Sequence, residues 1–376
     1  MGNIRKVIFW LHLAAGVLAG TIVAVMSFTG VTLAFEKEII AWFERDSKKI
    51  NPTGQRLAVD ALMEKFRQEK PTLKPGSITF FAEPDSAALI SFSRTNVFYI
   101  DPYSGKIQEH GKEGVRPFMQ LMIEWHRWLG QSGDQRPIGK AITGACNAAF
   151  LFLGISGLYL WWPRKWSRNA LSAITHPSLE LRGKARDWNW HNAIGFWSAP
   201  ILIVVTATAM PISYQWAGNL IYKLTGTTPP PPANAPGKIE PKLSPFTGTL
   251  LSSDAILEIA KKHHPAWEQA TIRFGKTNAP VVVSLKEKNG APRFATTQLG
   301  IHPYTGEVVS RESYSDFNTG RKVRSWTRYL HTGEALGPIG QALAGLASLG
   351  SLFLVWTGFA LTWRRFFMRS KAQPPI

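Results

Sequence analysis

Nine histidines occur in this chain of 376 residues. Four of them, His12, His126, His191 and His331, fall at matched places in or beside four long apolar runs. An ionisable side chain within a hydrocarbon layer is costly, so it points to a site before it points to packing. A neutral imidazole can offer one nitrogen to a metal while an acceptor orients the other. Two facing imidazoles can fill both axial positions of a haem iron, which favours electron transfer over oxygen binding. A single histidine in a helix bundle is ordinarily explained as an interhelical hydrogen bond. Four, in pairs and flanked by glycine, favour ligation.

The elements that must carry these residues are membrane spans. The runs 7–35, 142–162, 193–216 and 336–363 are almost uncharged, and each is long enough for the ~20 apolar residues that cross a bilayer. The first run follows Arg5 and Lys6 as a signal peptide would. It exceeds the ~7–15 residues of a signal h-region and is read as a retained helix. The net charge of +18 takes its meaning from its location. The first six residues, the loop 163–187 and the tail after Trp363 hold twelve Lys or Arg against two acids, Glu180 and Asp187. The connections 36–137 and 218–334 hold thirty against twenty-three. The positive-inside rule therefore puts both termini in the cytoplasm and the long connections outside, and argues against nucleic-acid binding.

Spacing sets the depth of each histidine. His12 precedes Glu36, and His191 precedes Gln215, by 24 residues, or ~36 Å of helix, which places both near the inner boundary. Gly16 and Gly195, one turn on and on the same face, leave room for a flat macrocycle, and Gly20 extends that clearance. His126 and His331 precede Trp162 and Trp363 by 36 and 32 residues, too far for one straight helix across a ~30 Å core. Gly130, Gly133 and Pro137, and then Gly333, Gly337 and Pro338, interrupt the two approaches. A short helix is expected before each span, with these histidines at the outer boundary. Arg127, Arg324 and Arg328 are nearby cations for haem propionates. Trp125, Trp128 and Trp326 suit either a porphyrin edge or an interfacial anchor. The lone Cys146 excludes an intramolecular disulfide and covalent Cys-x-x-Cys-His attachment, so two b-type haems are the expectation.

The remaining histidines, His110, His176, His263, His264 and His302, receive no role, although His263 and His264 could meet an iron ligand outside. Trp161, Trp162, Trp166 and Trp363 are explained by an interfacial belt.

The second half repeats the first. Asp101-Pro-Tyr-Ser-Gly-Lys-Ile recurs 201 residues later as His302-Pro-Tyr-Thr-Gly-Glu-Val, and Gly157-Leu-Tyr-Leu-Trp-Trp recurs at the same offset as Gly358-Phe-Ala-Leu-Thr-Trp. Each Pro-Tyr-x-Gly turn follows a helical segment, 59–66 or 253–260. Alternating runs at 77–81, 87–93 and 96–100, answered by 270–274, 281–286 and 294–301, read as strands. The proline run 229–232 reads as a stiff spacer. The expected organisation is a span at 7–35, an outer domain at 36–137, a span at 138–162, a basic loop at 163–188, a span at 189–217, a second outer domain at 218–334, a span at 335–363 and a tail at 364–376.

These motifs resemble the PepSY-associated transmembrane family, with its Asp-Pro-Tyr-Thr-Gly-type turn and a return helix ending in Gly-Leu-x-Leu-Trp-Trp-Pro-Arg. The resemblance covers nearly all of the chain and implies an α-helical bundle of four transmembrane helices with two small α+β PepSY-like periplasmic domains. Within that family the chain is most similar to the iron-regulated ferrisiderophore reductases. The similarity implies an inner-membrane electron conduit that takes electrons from a cytoplasmic donor or a membrane quinol and reduces a ferric siderophore in the periplasm. No Gly-x-Gly-x-x-Gly dinucleotide signature is present, so a separate donor is implied. Two other readings stand beside this one: a colourless membrane scaffold that binds a periplasmic protein, and a quinol-linked cytochrome with another acceptor.

Overall fold

A computed structural model describes residues 2–108, 114–163, 167–230, 248–274, 279–288, 290 and 292–368. His110, Trp166 and positions 231–232 of the expected spacer lie outside the described residues. In chain order the helices are α1 (Asn3–Leu33), α2 (Glu36–Phe43), α3 (Arg45–Lys48), α4 (Val59–Glu69), α5 (Val115–Trp128), α6 (Arg136–Trp161), α7 (Arg168–Thr175), α8 (Gly183–Ser213), α9 (Gln215–Leu224), α10 (Ser253–His263), α11 (Thr319–His331) and α12 (Gly337–Phe366). The strands are β1 (Ser77–Phe81), β2 (Ala88–Ser91), β3 (Val97–Ile100), β4 (Trp267–Arg273), β5 (Val281–Glu287), β6 (Thr296–Ile301) and β7 (Val308–Glu312). Two compact units result, one of Met1–Glu36, Leu121–Thr225 and Val323–Ile376, the other of Lys37–Gln120 and Gly226–Lys322.

The first unit is helical. Among the described residues, four helices are long and apolar enough to cross a membrane, and they coincide with the four runs read from sequence. They pack as a ring, α1 on α6, α6 on α8, α8 on α12 and α12 on α1. In lipid, close approach and polar bonds hold helices together, and the ring interior accordingly buries Ala19, Ser27, Asn147, Thr206, Ser351 and Thr357. Asn147 Nδ2 donates to the Thr206 carbonyl at 3.0 Å, Gln341 Nε2 donates to the Ala34 carbonyl at 2.9 Å, and the Ser351 hydroxyl donates to Ser27. Helix α8 begins six residues before the expected start at 189. Asp187, expected in the polar loop, is thereby buried inside that helix, 2.8 Å from Arg186 Nη2 and 3.0 Å from Arg364 Nε. Two guanidiniums compensate the carboxylate, which lets the helix extend through an acidic position.

The second unit is a seven-stranded antiparallel sheet in the order β3-β2-β1-β4-β5-β6-β7. Here the outcome differs from two separate small domains: β1 of one segment pairs with β4 of the other, from Ser77 opposite Arg273 to Phe81 opposite Gln269. Each segment alone would leave an unpaired strand edge, and joining the edges satisfies both ladders. Thr79 and Thr271 sit opposite one another at the join, with their hydroxyls 2.8 Å apart. Alternation of side chains puts Ile78, Ile90, Ile272, Val283, Leu285 and Leu299 into one core beneath α4 and α10. The two helices cap each other. The Asp254 carboxylate accepts from the Val59 amide at 3.0 and 2.8 Å, and the Asp60 carboxylate accepts from the Ser253 amide at 3.0 Å. Strand β7 had no counterpart in the sequence reading.

The two Pro-Tyr-x-Gly turns are built alike. In the first, Asp101 accepts from the Tyr103 amide at 2.8 Å; in the second, His302 Nδ1 accepts from the Tyr304 and Thr305 amides, each at 3.2 Å. The imidazole nitrogen thus substitutes for the carboxylate of the other repeat.

Candidate functional site

All four histidines lie in the helical unit. His12 is on α1 and His191 on α8, each about nine residues from the start of its helix. His126 and His331 occupy the last turns of α5 and α11. Short helices therefore do precede the second and fourth spans. They end where backbone φ turns positive, at Leu129 (52°) and Gly130 (74°), and at Gly333 (78°). Gly139 and Gly340, early in α6 and α12, lie directly against the backbone of Trp128 and Gly333 at these ends. Only a residue without Cβ permits that approach.

Every histidine is held by Nδ1. His12 Nδ1 lies 2.8 Å from Ser156 Oγ and His191 Nδ1 lies 2.9 Å from Thr357 Oγ1. Each hydroxyl sends its single proton to its own helix, Ser156 to the Phe152 carbonyl at 2.6 Å and Thr357 to the Phe353 carbonyl at 2.7 Å. The oxygens must therefore accept, and the imidazoles donate. His126 Nδ1 donates to the Met26 carbonyl and to Thr29 Oγ1, both at 2.9 Å, and His331 Nδ1 donates to the Val205 carbonyl at 2.9 Å. A carbonyl can only accept, so the tautomer is fixed here as well. In all four rings the proton is on Nδ1 and the lone pair on Nε2, the state in which an imidazole ligates a metal.

The acceptors obey the repeat. Ser156 and Thr357 are 201 residues apart, the offset of the return helices, and Met26 and Val205 are 179 apart, the offset of His12 and His191. Glycine lies beside the rings: a Cβ on Gly157 would stand 3.4 Å from His12 Cε1, one on Gly358 3.6 Å from His191 Cε1, and one on Gly30 3.6 Å from His126 Cε1.

His126 and His331 form one pair, with ring centres 6.1 Å apart and planes inclined at 55°. A nitrogen ~2 Å from a first-row metal, with the ring centre ~1.1 Å beyond it, would put two such imidazole centres ~6.2 Å apart, a separation that the pair matches. His12 and His191 occupy equivalent places on α1 and α8, near the starts of their helices. Along α1 and along α8, 14 residues separate the histidine of the first pair from the carbonyl that holds the second, or about 21 Å of helix. Among the described residues no group of three or more His, Cys, Asp or Glu is suited to a bare metal ion. What the chain offers is two pairs.

The family model described as the PepSY-associated TM region matches residues 9–365. The chain belongs to that family. No curated protein matches it. Membership and the four apolar helices make this PepSY-associated chain a multi-pass membrane protein.

Of the other expected site residues, Gly16 and Gly195 face Leu153 and Leu354, whose methyls would be 3.9 and 3.5 Å from an added Cβ. Gly20 is different: the Phe359 ring would meet its Cβ at 2.7 Å, so this glycine seats an aromatic ring instead of extending a clearance. Arg324 donates to the Pro211 carbonyl at 2.9 Å and is committed to the end of α8. Arg127 and Arg328 are exposed. Trp128 is flanked by the guanidiniums of Arg127 and Arg136, 4.7 and 4.5 Å from its ring. Trp161, read as part of a belt, donates its indole N–H to the Ile174 carbonyl at 3.1 Å and holds α7. In the sheet unit, His264 bonds Glu287 at 2.6 Å and His263 is exposed. Sequence reasoning missed Met26, Thr29, Ser156, Val205 and Thr357. The signal for two of them was available, since the repeat places a hydroxyl immediately before both Gly157 and Gly358.

Proposed function

We propose that the protein is an inner-membrane electron conduit that binds two b-type haems and reduces ferric siderophores in the periplasm. The observation that carries this reading is the common Nδ1–H tautomer, which turns four Nε2 lone pairs into ligands held in two pairs. His12 and His191, with Gly157 and Gly358 beside their rings, would hold one haem, and His126 and His331 the other. Arg127, over the Trp128 ring, and the exposed Arg328 are the cations that would meet propionates; Arg324 is used by Pro211. Bound haem would supply one-electron chemistry, and the four histidines are the residues that would hold it.

Orientation follows from charge. Twelve Lys or Arg against two acids mark the termini and the 163–187 loop as cytoplasmic, which assigns the sheet unit to the periplasm as PepSY-like modules. With haem bound, electrons from a cytoplasmic donor or a membrane quinol would enter at His12 and His191 and leave at His126 and His331, where one electron would convert chelated Fe(III) to Fe(II), an ion that hard oxygen ligands hold less tightly. The siderophore as substrate rests on resemblance within the family.

The test is anaerobic mixing of pre-reduced protein with a ferric hydroxamate chelate and a ferrous-trapping dye. Reoxidation of the protein with stoichiometric ferrous complex is expected. Reoxidation by oxygen or a copper complex but not by the ferric chelate would assign a different acceptor.

A further inference from the structure

The two histidine pairs are oriented by different chemistry. At His126 and His331 the acceptors are backbone carbonyls of Met26 and Val205, with Thr29 added on one side only. Thr208, at the position equivalent to Thr29, is half-buried and bonds its own helix at the Val204 carbonyl, 2.7 Å away. At His12 and His191 a side-chain hydroxyl of each return helix accepts, and at His191 the Leu354 backbone also takes part. Both hydroxyls are buried, Ser156 to 4% and Thr357 to 0% exposure. Each donates onward to a helix carbonyl, which polarises its oxygen and strengthens it as an acceptor.

We infer that Ser156 and Thr357 are positioning residues that fix the His12 and His191 rings and lower the reduction potential of the site between them, an inference that rests on haem being bound there. An acceptor on Nδ1–H makes the imidazole more basic at Nε2, and a more basic ligand favours ferric over ferrous iron. Removing the acceptor therefore raises the potential. The hydroxyl also holds the ring against its return helix, with Cε1 beside Gly157 or Gly358. The duplication supplies its own control, because one half uses serine and the other threonine for the same bond.

Potentiometric titration of the purified, haem-loaded protein tests this, with the second pair as internal reference. Ser156→Ala and Thr357→Val should each move the first-site midpoint to a more positive potential, and the double variant should move it further. The second-site midpoint should stay in place, and the exchange Ser156→Thr with Thr357→Ser should restore the wild-type value. A fully loaded double variant with an unmoved first-site midpoint overturns the inference and leaves the haem reading standing. A shift of both sites together also overturns it. Wild-type protein without haem overturns both. If Ser156→Ala sheds the first haem, retention in Ser156→Thr supports the inference and loss from that variant too contradicts it.

Discussion

Hydrogen-bond partners decide what each imidazole can do. Ser156 and Thr357 have spent their protons on Phe152 and Phe353, and Met26 and Val205 offer carbonyls, so each Nδ1 must donate. From the proposed function, His12→Ala or His191→Ala should remove one haem and leave the other, while His126→Ala or His331→Ala should remove the second. Haem-to-protein ratios of the four variants check this; loss of the same haem from all four contradicts the pairing. The histidines were legible because their cost in lipid and their repetition mark them. The acceptors were not, because a backbone carbonyl has no residue type and a serine in an apolar helix is common. A second residue-scale cluster lies in the sheet unit. Arg116 clamps the buried Glu44 carboxylate at 2.5 and 2.7 Å, and the Tyr99 hydroxyl donates to it at 3.0 Å. Arg116→Ala would leave that carboxylate unpaired and should cost about 3 kcal/mol of stability, measurable by chemical denaturation. Burial, and then the Glu44 charge, push the Tyr99 phenol up from its ordinary value. The folded state therefore keeps the proton longer than the unfolded chain. Stability from this group is complete below pH ~10 and declines as pH rises above it. Tyr99→Phe should remove that alkaline loss, and a wild-type profile in the variant would contradict the assignment.

Short helices, not the spans, bring the second pair together. Helices α5 and α11 end at positive φ and return against Gly139 and Gly340. A methyl at either position would fall on the backbone of Trp128 or Gly333 and push the short helix off its span. Gly139→Ala and Gly340→Ala should lower occupancy of the second haem and spare the first, as read from the spectrum of each variant. In the sheet unit, α4 and α10 exchange caps through Asp60 and Asp254. Replacing either aspartate by alanine should cost about 1 kcal/mol, and thermal melts would show it. Most elements were readable. Glycine and proline marked the breaks before the spans, and alternation marked β1 to β6. The early start of α8 was not readable, because Asp187 looks like a loop residue until Arg364, 177 positions away, is seen to pair with it.

The whole chain is a duplication whose halves complete one another. In the bundle, His126 of one half lies beside His331 of the other, and in each half the helix that carries the first histidine supplies the carbonyl that holds the second. In the sheet, β1 and β4 close the edges that each half leaves open. The number of spans followed from hydrophobic length alone. The single sheet did not, since alternation tells which face of a strand is buried and nothing about which strand lies beside it. Ligation by the paired histidines is the claim on which the functional reading depends. The most direct measurement is the absorption spectrum and haem-to-protein ratio of the purified protein, expressed with ample haem. The account predicts two non-covalent haems per chain with the low-spin bands of bis-imidazole ligation in both oxidation states. A folded, colourless protein would contradict it and favour a scaffold that binds a protein partner.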